Sequence, residues 1–156
     1  MNKTFEEADD LINTIVEFVK SRKDKNSSVI VCPPAPYLEL ATDQAHETGL
    51  FVGAQNMSEF ESGAYTGEIS APMLASMGVD YCIIGHSERR KYFHETNESL
   101  ARKVNMALKY DVAAILCCGE LLPEREAAKH FEVVQKQLQE SEVLKSPAKV
   151  RVKNLK

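Results

Sequence analysis

The sequence predicts an α/β fold of about four parallel strands with flanking helices, and three observations predict it. Four short apolar runs, at residues 29–32, 50–54, 81–84 and 112–117, carry apolar side chains on both faces, as strands covered on both sides of a parallel sheet do. Segments with helical periodicity alternate strictly with these runs, which implies right-handed crossovers within one sheet. Polar residues gather just past the runs, at the strand ends where such folds place their chemistry. Periodicity by itself leaves a closed barrel and an open sheet both standing.

Each element has its own local reason. Thr4 with Glu7 makes a capping-box pattern. Phe5, Ala8, Leu11, Ile12, Ile15, Val16 and Val19 follow at helical spacing, predicting a helix that ends around residues 20–23, where cations suit the C-terminal dipole. The first strand is stopped by Pro33 and Pro34. Residues 36–48 read as a helix with Leu38, Ala41 and Ala45 on one face and Gly49 as its stop. After the second strand comes a long loop, residues 55–69, punctuated by Gly63, Gly67, Phe60 and Tyr65; a loop of that length between short elements is usually functional or part of an interface. Ser70 caps a short helix to Met77, ended by Gly78, and Thr96 caps one carrying Leu100, Val104, Ala107 and Leu108. The last helix starts near Pro123 and shows Ala127, Phe131, Val134 and Leu138. Residues 141–156 read as a basic tail with Lys145, Lys149, Arg151, Lys153 and Lys156, its few apolar residues being Val150, Val152 and Leu155; no strand is expected there.

Composition bounds the possibilities. The 156 residues suffice for one domain with a real core. A formal net charge of −4 argues against a general nucleic-acid binder, while leaving room for a locally positive site. No run approaches transmembrane length, and the acidic N-terminal segment lacks the apolar stretch of a signal peptide. Cys32, Cys82, Cys117 and Cys118 form no C-x-x-C pair and no zinc spacing; buried thiols in a reducing cytosol are the expectation. His46, His94 and His130 read as surface or helix-face residues, and no cluster of acids and histidines points to a metal site.

The stretch from Tyr81 to Arg90 organises the chain. An apolar strand stops at Gly85, which lets the backbone turn tightly, and His86, Ser87, Glu88, Arg89 and Arg90 follow at once. Taken alone, such a loop is equally compatible with a solvated ion-pair cluster. The wider pattern is more specific. Ile84-Gly85-His86-Ser87-Glu88-Arg89-Arg90 closely resembles the signature of the triosephosphate isomerase family. Gly63-Ala64-Tyr65-Thr66-Gly67-Glu68 resembles that family's third βα loop, and Cys118-Gly119-Glu120 with Glu124-Arg125-Glu126-Ala127 its fifth strand exit and helix. Met1-Asn2-Lys3-Thr4 resembles the end of its first loop. The resemblance covers about residues 1–140.

The resemblance implies a partial (β/α)8 barrel, since a complete one takes about 250 residues. It implies interconversion of dihydroxyacetone phosphate and glyceraldehyde 3-phosphate, a step of glycolysis and gluconeogenesis, in the cytoplasm and without a cofactor. His86 would be the electrophile, its place at the start of a short helical turn favouring the neutral imidazole. Glu88 would be the acidic residue beside the catalytic lysine. That lysine would stand just before Met1, and the glutamate base, lid and phosphate loops beyond the tail. The chain is therefore expected to be an incomplete and inactive form. The alternative is a non-catalytic module that associates with a complete subunit. Gln55, Asn56, Tyr65, Thr66 and Glu68 would serve a homodimer interface, Thr66 at the tip reaching into the partner. Gln55 and Asn56 are expected to hydrogen-bond loop backbone, and Arg89 to pair with Glu95.

Overall fold

The computed structural model of the chain describes residues 2–24, 26–141 and 150–154. Met1, Lys145, Lys149, Leu155 and Lys156, to which the sequence reading gave roles, lie outside the described residues. Helix α1 (Phe5–Ser21) leads into β1 (Val29–Val31), then a 3-10 turn (Ala35–Tyr37), α2 (Leu38–Ala45), β2 (Leu50–Ala54), α3 (Ala71–Ser76), β3 (Tyr81–Ile84), α4 (Ser87–Tyr92), α5 (Asn97–Lys109), β4 (Ala113–Cys118), α6 (Leu122–Glu126), α7 (His130–Glu140) and β5 (Val150–Asn154). All strand pairs are parallel and the order is β1-β2-β3-β4-β5. A parallel sheet wound in sequence order with crossovers of one hand carries its helices on one face, as a segment of a (β/α)8 wall does.

Burial divides the sheet accordingly. Val52, Ala54, Cys82, Ile84, Ala114 and Leu116 are almost wholly buried and join Leu38, Leu74, Leu100 and Val104 from the helices in one core. The alternate positions Phe51, Ile83, Ala113 and Ile115 are only half-buried. Helix α2 packs on β2, α5 on β3 and β4, and α7 on α5 and β4. Among the described residues no helix is long and apolar enough to cross a membrane.

Two expectations need correction. The tail contains a strand: Val150–Asn154 pairs with β4 from Ala114↔Val150 to Cys118↔Asn154. Its sequence alternates valine with arginine and lysine, the period-two pattern of a half-covered strand, which a search for continuous apolar runs passes over. The edge of β4 is therefore not open. The last helix is two helices, because the chain turns at Ala128 with a φ of 56°. Smaller shifts are a 3-10 start to the second helix, which ends at Ala45, before Glu47 and Gly49 adopt positive φ.

Candidate active site

Parallel strands bring the C-terminal ends of β2, β3 and β4 to one side of the sheet, and Asn56, His86 and Cys117 with them. Gly85 makes the exit from β3 at φ 75°. A Cβ there would stand 2.7 Å from Leu100 Cδ1 and 3.1 Å from Arg90 Nη2, so only glycine combines this backbone with this packing. His86 then caps α4, the short helix over the Ser-Glu-Arg-Arg run. Its Nδ1 accepts from the Glu88 main-chain N–H at 3.3 Å, while the Glu88 carboxylate is farther, at 3.7 Å. A nitrogen that accepts carries no proton, so in the neutral ring this contact favours the Nε2–H tautomer. The ring is about one-third exposed and Glu88 largely solvated.

Behind this turn lies a polar network. Arg89 Nε donates to Glu95 Oε1 at 2.6 Å, and its guanidinium lies 4.5 Å over the Phe93 ring. Lys103, buried in the core face of α5, donates to the same Glu95 oxygen at 2.7 Å and to Asn56 Oδ1 at 2.8 Å. Burial alone would raise the Glu95 carboxyl, but hydrogen bonds from Lys103 and Arg89 outweigh it and hold it below the usual carboxylate range. Asn56 thus meets a side chain, where loop backbone was expected, whereas Gln55 does donate to backbone, the Cys32 carbonyl at 3.0 Å.

Sequence reasoning missed Lys103. The signal was present: it occupies the stripe of Leu100, Val104 and Ala107, and a lysine on a buried stripe needs a partner. It also missed Arg90, whose contacts tie β3, β4 and α5 together. Burial pushes the Cys82 thiol up to about 12, which leaves it inert at neutral pH. Among the described residues no three metal-ligating side chains converge.

The loop of residues 55–69 stands beside this network. Its base is closed by the Ser58 N–H on the Ile69 carbonyl at 2.7 Å. Phe60 and Tyr65 stack with their centroids 4.2 Å apart. Ion pairs Glu59–Arg102 and Glu61–Lys109 fasten it to α5. Tyr65, Thr66 and Glu68 are exposed at its tip. A cavity of about 230 Å³ lies between loop and network, lined by Phe60, Tyr65, Glu68, Arg89, Glu95 and Lys103 among others. A wider cleft, about 940 Å³, flanks the segment after β3 and reaches Cys117 and Glu120.

The protein-family model for triosephosphate isomerase matches residues 1–153, so the matched span runs past residue 140 and takes in most of β5. A triosephosphate isomerase of Flavobacterium psychrophilum is 45% identical over 140 residues, 90% of this chain and 55% of the relative. One of Alkaliphilus oremlandii is 49% identical over 138 residues, 88% of this chain and 54% of the relative. One of Clostridium botulinum is 43% identical over 155 residues, 99% of this chain and 60% of the relative. The chain thus spans about half the length of the relatives it matches. Because the family model accounts for nearly every residue and the strands follow one another as in a (β/α)8 wall, the chain belongs to the triosephosphate isomerase family.

Proposed function

We propose that this chain carries the electrophile portion of a triosephosphate isomerase site, the one that interconverts dihydroxyacetone phosphate and glyceraldehyde 3-phosphate in cytoplasmic glycolysis and gluconeogenesis. The observation that carries the reading is the His86 Nδ1 contact: with Nδ1 accepting from Glu88 N–H, Nε2–H is left to polarise a substrate oxygen. Such a proton shift also needs a base at the carbon and a grip on the phosphate. No residue of the 156 matches the family's lysine or base glutamate. The chain assayed alone therefore turns over at background, since a missing general base removes about 10²–10⁴ in rate. A coupled assay on the purified chain, repeated with the family's first strand and later βα units supplied in trans, tests this. Activity is expected only in the reconstituted sample and only with His86 intact. Turnover by the chain alone that His86→Ala abolishes would overturn the incomplete-site reading, and reconstituted turnover indifferent to His86→Ala would overturn the role of His86.

A second reading, a module that joins a complete subunit, is favoured by the loop of residues 55–69. The loop is fastened in cis by Glu59 and Glu61 while Tyr65, Thr66 and Glu68 stay exposed. A prefastened tip pays less ordering entropy on association. Sedimentation of this chain with a full-length isomerase subunit separates the two readings: co-sedimentation lost with Thr66→Arg supports the module.

A further inference from the structure

We propose that Arg90 is a positioning residue for His86, holding the backbone from which His86 departs against the end of β4. The inference rests on the reading of His86 as the electrophile. Arg90 spreads its guanidinium over three acceptors. Nε donates to the Gly85 carbonyl at 2.9 Å, Nη2 to the Cys117 carbonyl at 3.1 Å, and Nη1 to Asn97 Oδ1 at 2.7 Å. These acceptors lie at the end of β3, at the end of β4, and on the first turn of α5. All three are neutral. Arg89 next to it takes a carboxylate instead, so the two arginines have different tasks.

The geometry places this fork one peptide from His86. The Gly85 carbonyl belongs to the peptide whose nitrogen is that of His86, so fixing the carbonyl fixes the plane from which the imidazole leaves. That plane sets whether Nδ1 reaches the Glu88 N–H, a bond already long at 3.3 Å and hence sensitive to small rotations. The bare Cα of Gly85 gives Arg90 its approach, because a Cβ would come within 3.1 Å of Nη2. Asn97 carries the connection further: its Nδ2 donates to Glu140 Oε2 at 2.7 Å, so the last turn of α7 is on the same chain of bonds. A lysine cannot replace this arrangement, since one ammonium lacks the planar fork that meets separated acceptors.

The test uses the full 156-residue chain and reads the imidazole directly. Long-range proton–nitrogen NMR reports which ring nitrogen of each histidine is protonated, and His86 is assigned by its loss in His86→Gln. In the unsubstituted chain His86 is expected as the Nε2–H tautomer. In Arg90→Lys it shifts toward a mixture, and exchange of the Glu88 amide quickens about threefold to tenfold, as the loss of one net hydrogen bond implies. Amides of α1 keep their rates, which a general loosening would not allow. A folded Arg90→Lys chain with an unaltered His86 spectrum and Glu88 amide overturns the proposal. If Arg90→Lys fails to fold, Asn97→Ala decides: Arg90 keeps both carbonyls but loses the side chain that orients Nη1. A smaller shift in the same direction is then expected, and no shift overturns the proposal. Failure of the isomerase reading shows separately, in the reconstituted assay, and leaves this comparison intact.

Discussion

Glu95 and Lys103 have side chains only 6% and 7% exposed, so the pair lies mostly out of water. Glu95 is also the shared acceptor of Arg89 and Lys103, so its ionisation is linked to folding. Its folded pKa lies below the ordinary 4.5. As pH falls, the unfolded chain takes up the proton first. The stabilisation is therefore complete above about pH 4.5 and is lost as pH drops through the folded value. Denaturant midpoints measured against pH should fall on the acid side, and Glu95→Gln should flatten that fall. Lys103→Met leaves the carboxylate with Arg89 alone and is expected to cost about 3 kcal/mol at neutral pH, read from the same denaturation curves.

The break between α6 and α7 illustrates how a helix ends without the residue it prefers. The Ala128 N–H bonds the Arg125 carbonyl at 3.0 Å and the Lys129 N–H bonds the Glu124 carbonyl at 2.8 Å, the paired closure of a Schellman motif. That motif wants glycine at the left-handed position, and here an alanine stands at φ 56°. Left-handed backbone costs a β-carbon residue about 1–2 kcal/mol, against which glycine's larger unfolded-state entropy must be set. Ala128→Gly is expected to raise stability by up to about 1 kcal/mol, visible as a higher melting temperature by calorimetry. A lower melt would mean that the turn is held by something other than its backbone. The Gln137 side chain pins the adjoining Gly119 main chain through two 2.9 Å bonds, so the repair at Ala128 should leave the β4 exit in place.

At the scale of the molecule, the sheet has one well-covered face and two ends. Helices cover Val52, Cys82, Ile84, Ala114 and Leu116, whereas Phe51, Ile83 and Ile115 on alternate positions are half-exposed. Among the described residues the outer strands of the sheet are β1 and β5. β1 is all valine and isoleucine, a sequence that invites further pairing, while β5 has arginine and lysine within it, which discourage pairing. Each 100 Å² of wet apolar face forgoes about 2.5 kcal/mol of burial, a large part of a domain's total of about 5–15 kcal/mol. The 156-residue chain studied alone is therefore expected to self-associate or to melt over a broad range. Sedimentation and near-ultraviolet dichroism check this, and the remaining family segments supplied in trans should sharpen the transition. A monodisperse monomer with a steep melt that ignores those segments would show the sheet to be sufficient as it is.

What the sequence determined by itself was whatever local chemistry controls. Strands β2 and β3 begin and end where their apolar runs do, Thr96 caps α5 through the Ser99 amide, and Gly85 marks the turn before His86. Pro, Gly and hydrophobic period act within a few residues, so they are legible in one dimension. Tertiary structure alone decided the partners. Lys103 finds Asn56 across 47 residues and Arg90 finds Cys117 across 27. It also decided that an alternating, charged tail becomes a strand, because the unpaired edge of β4 gives it hydrogen bonds that no local pattern supplies. His86 was readable because its motif is contiguous. The contacts of Arg90 and Lys103 beside it were not, because the fold assembles them from separate helices and strand ends.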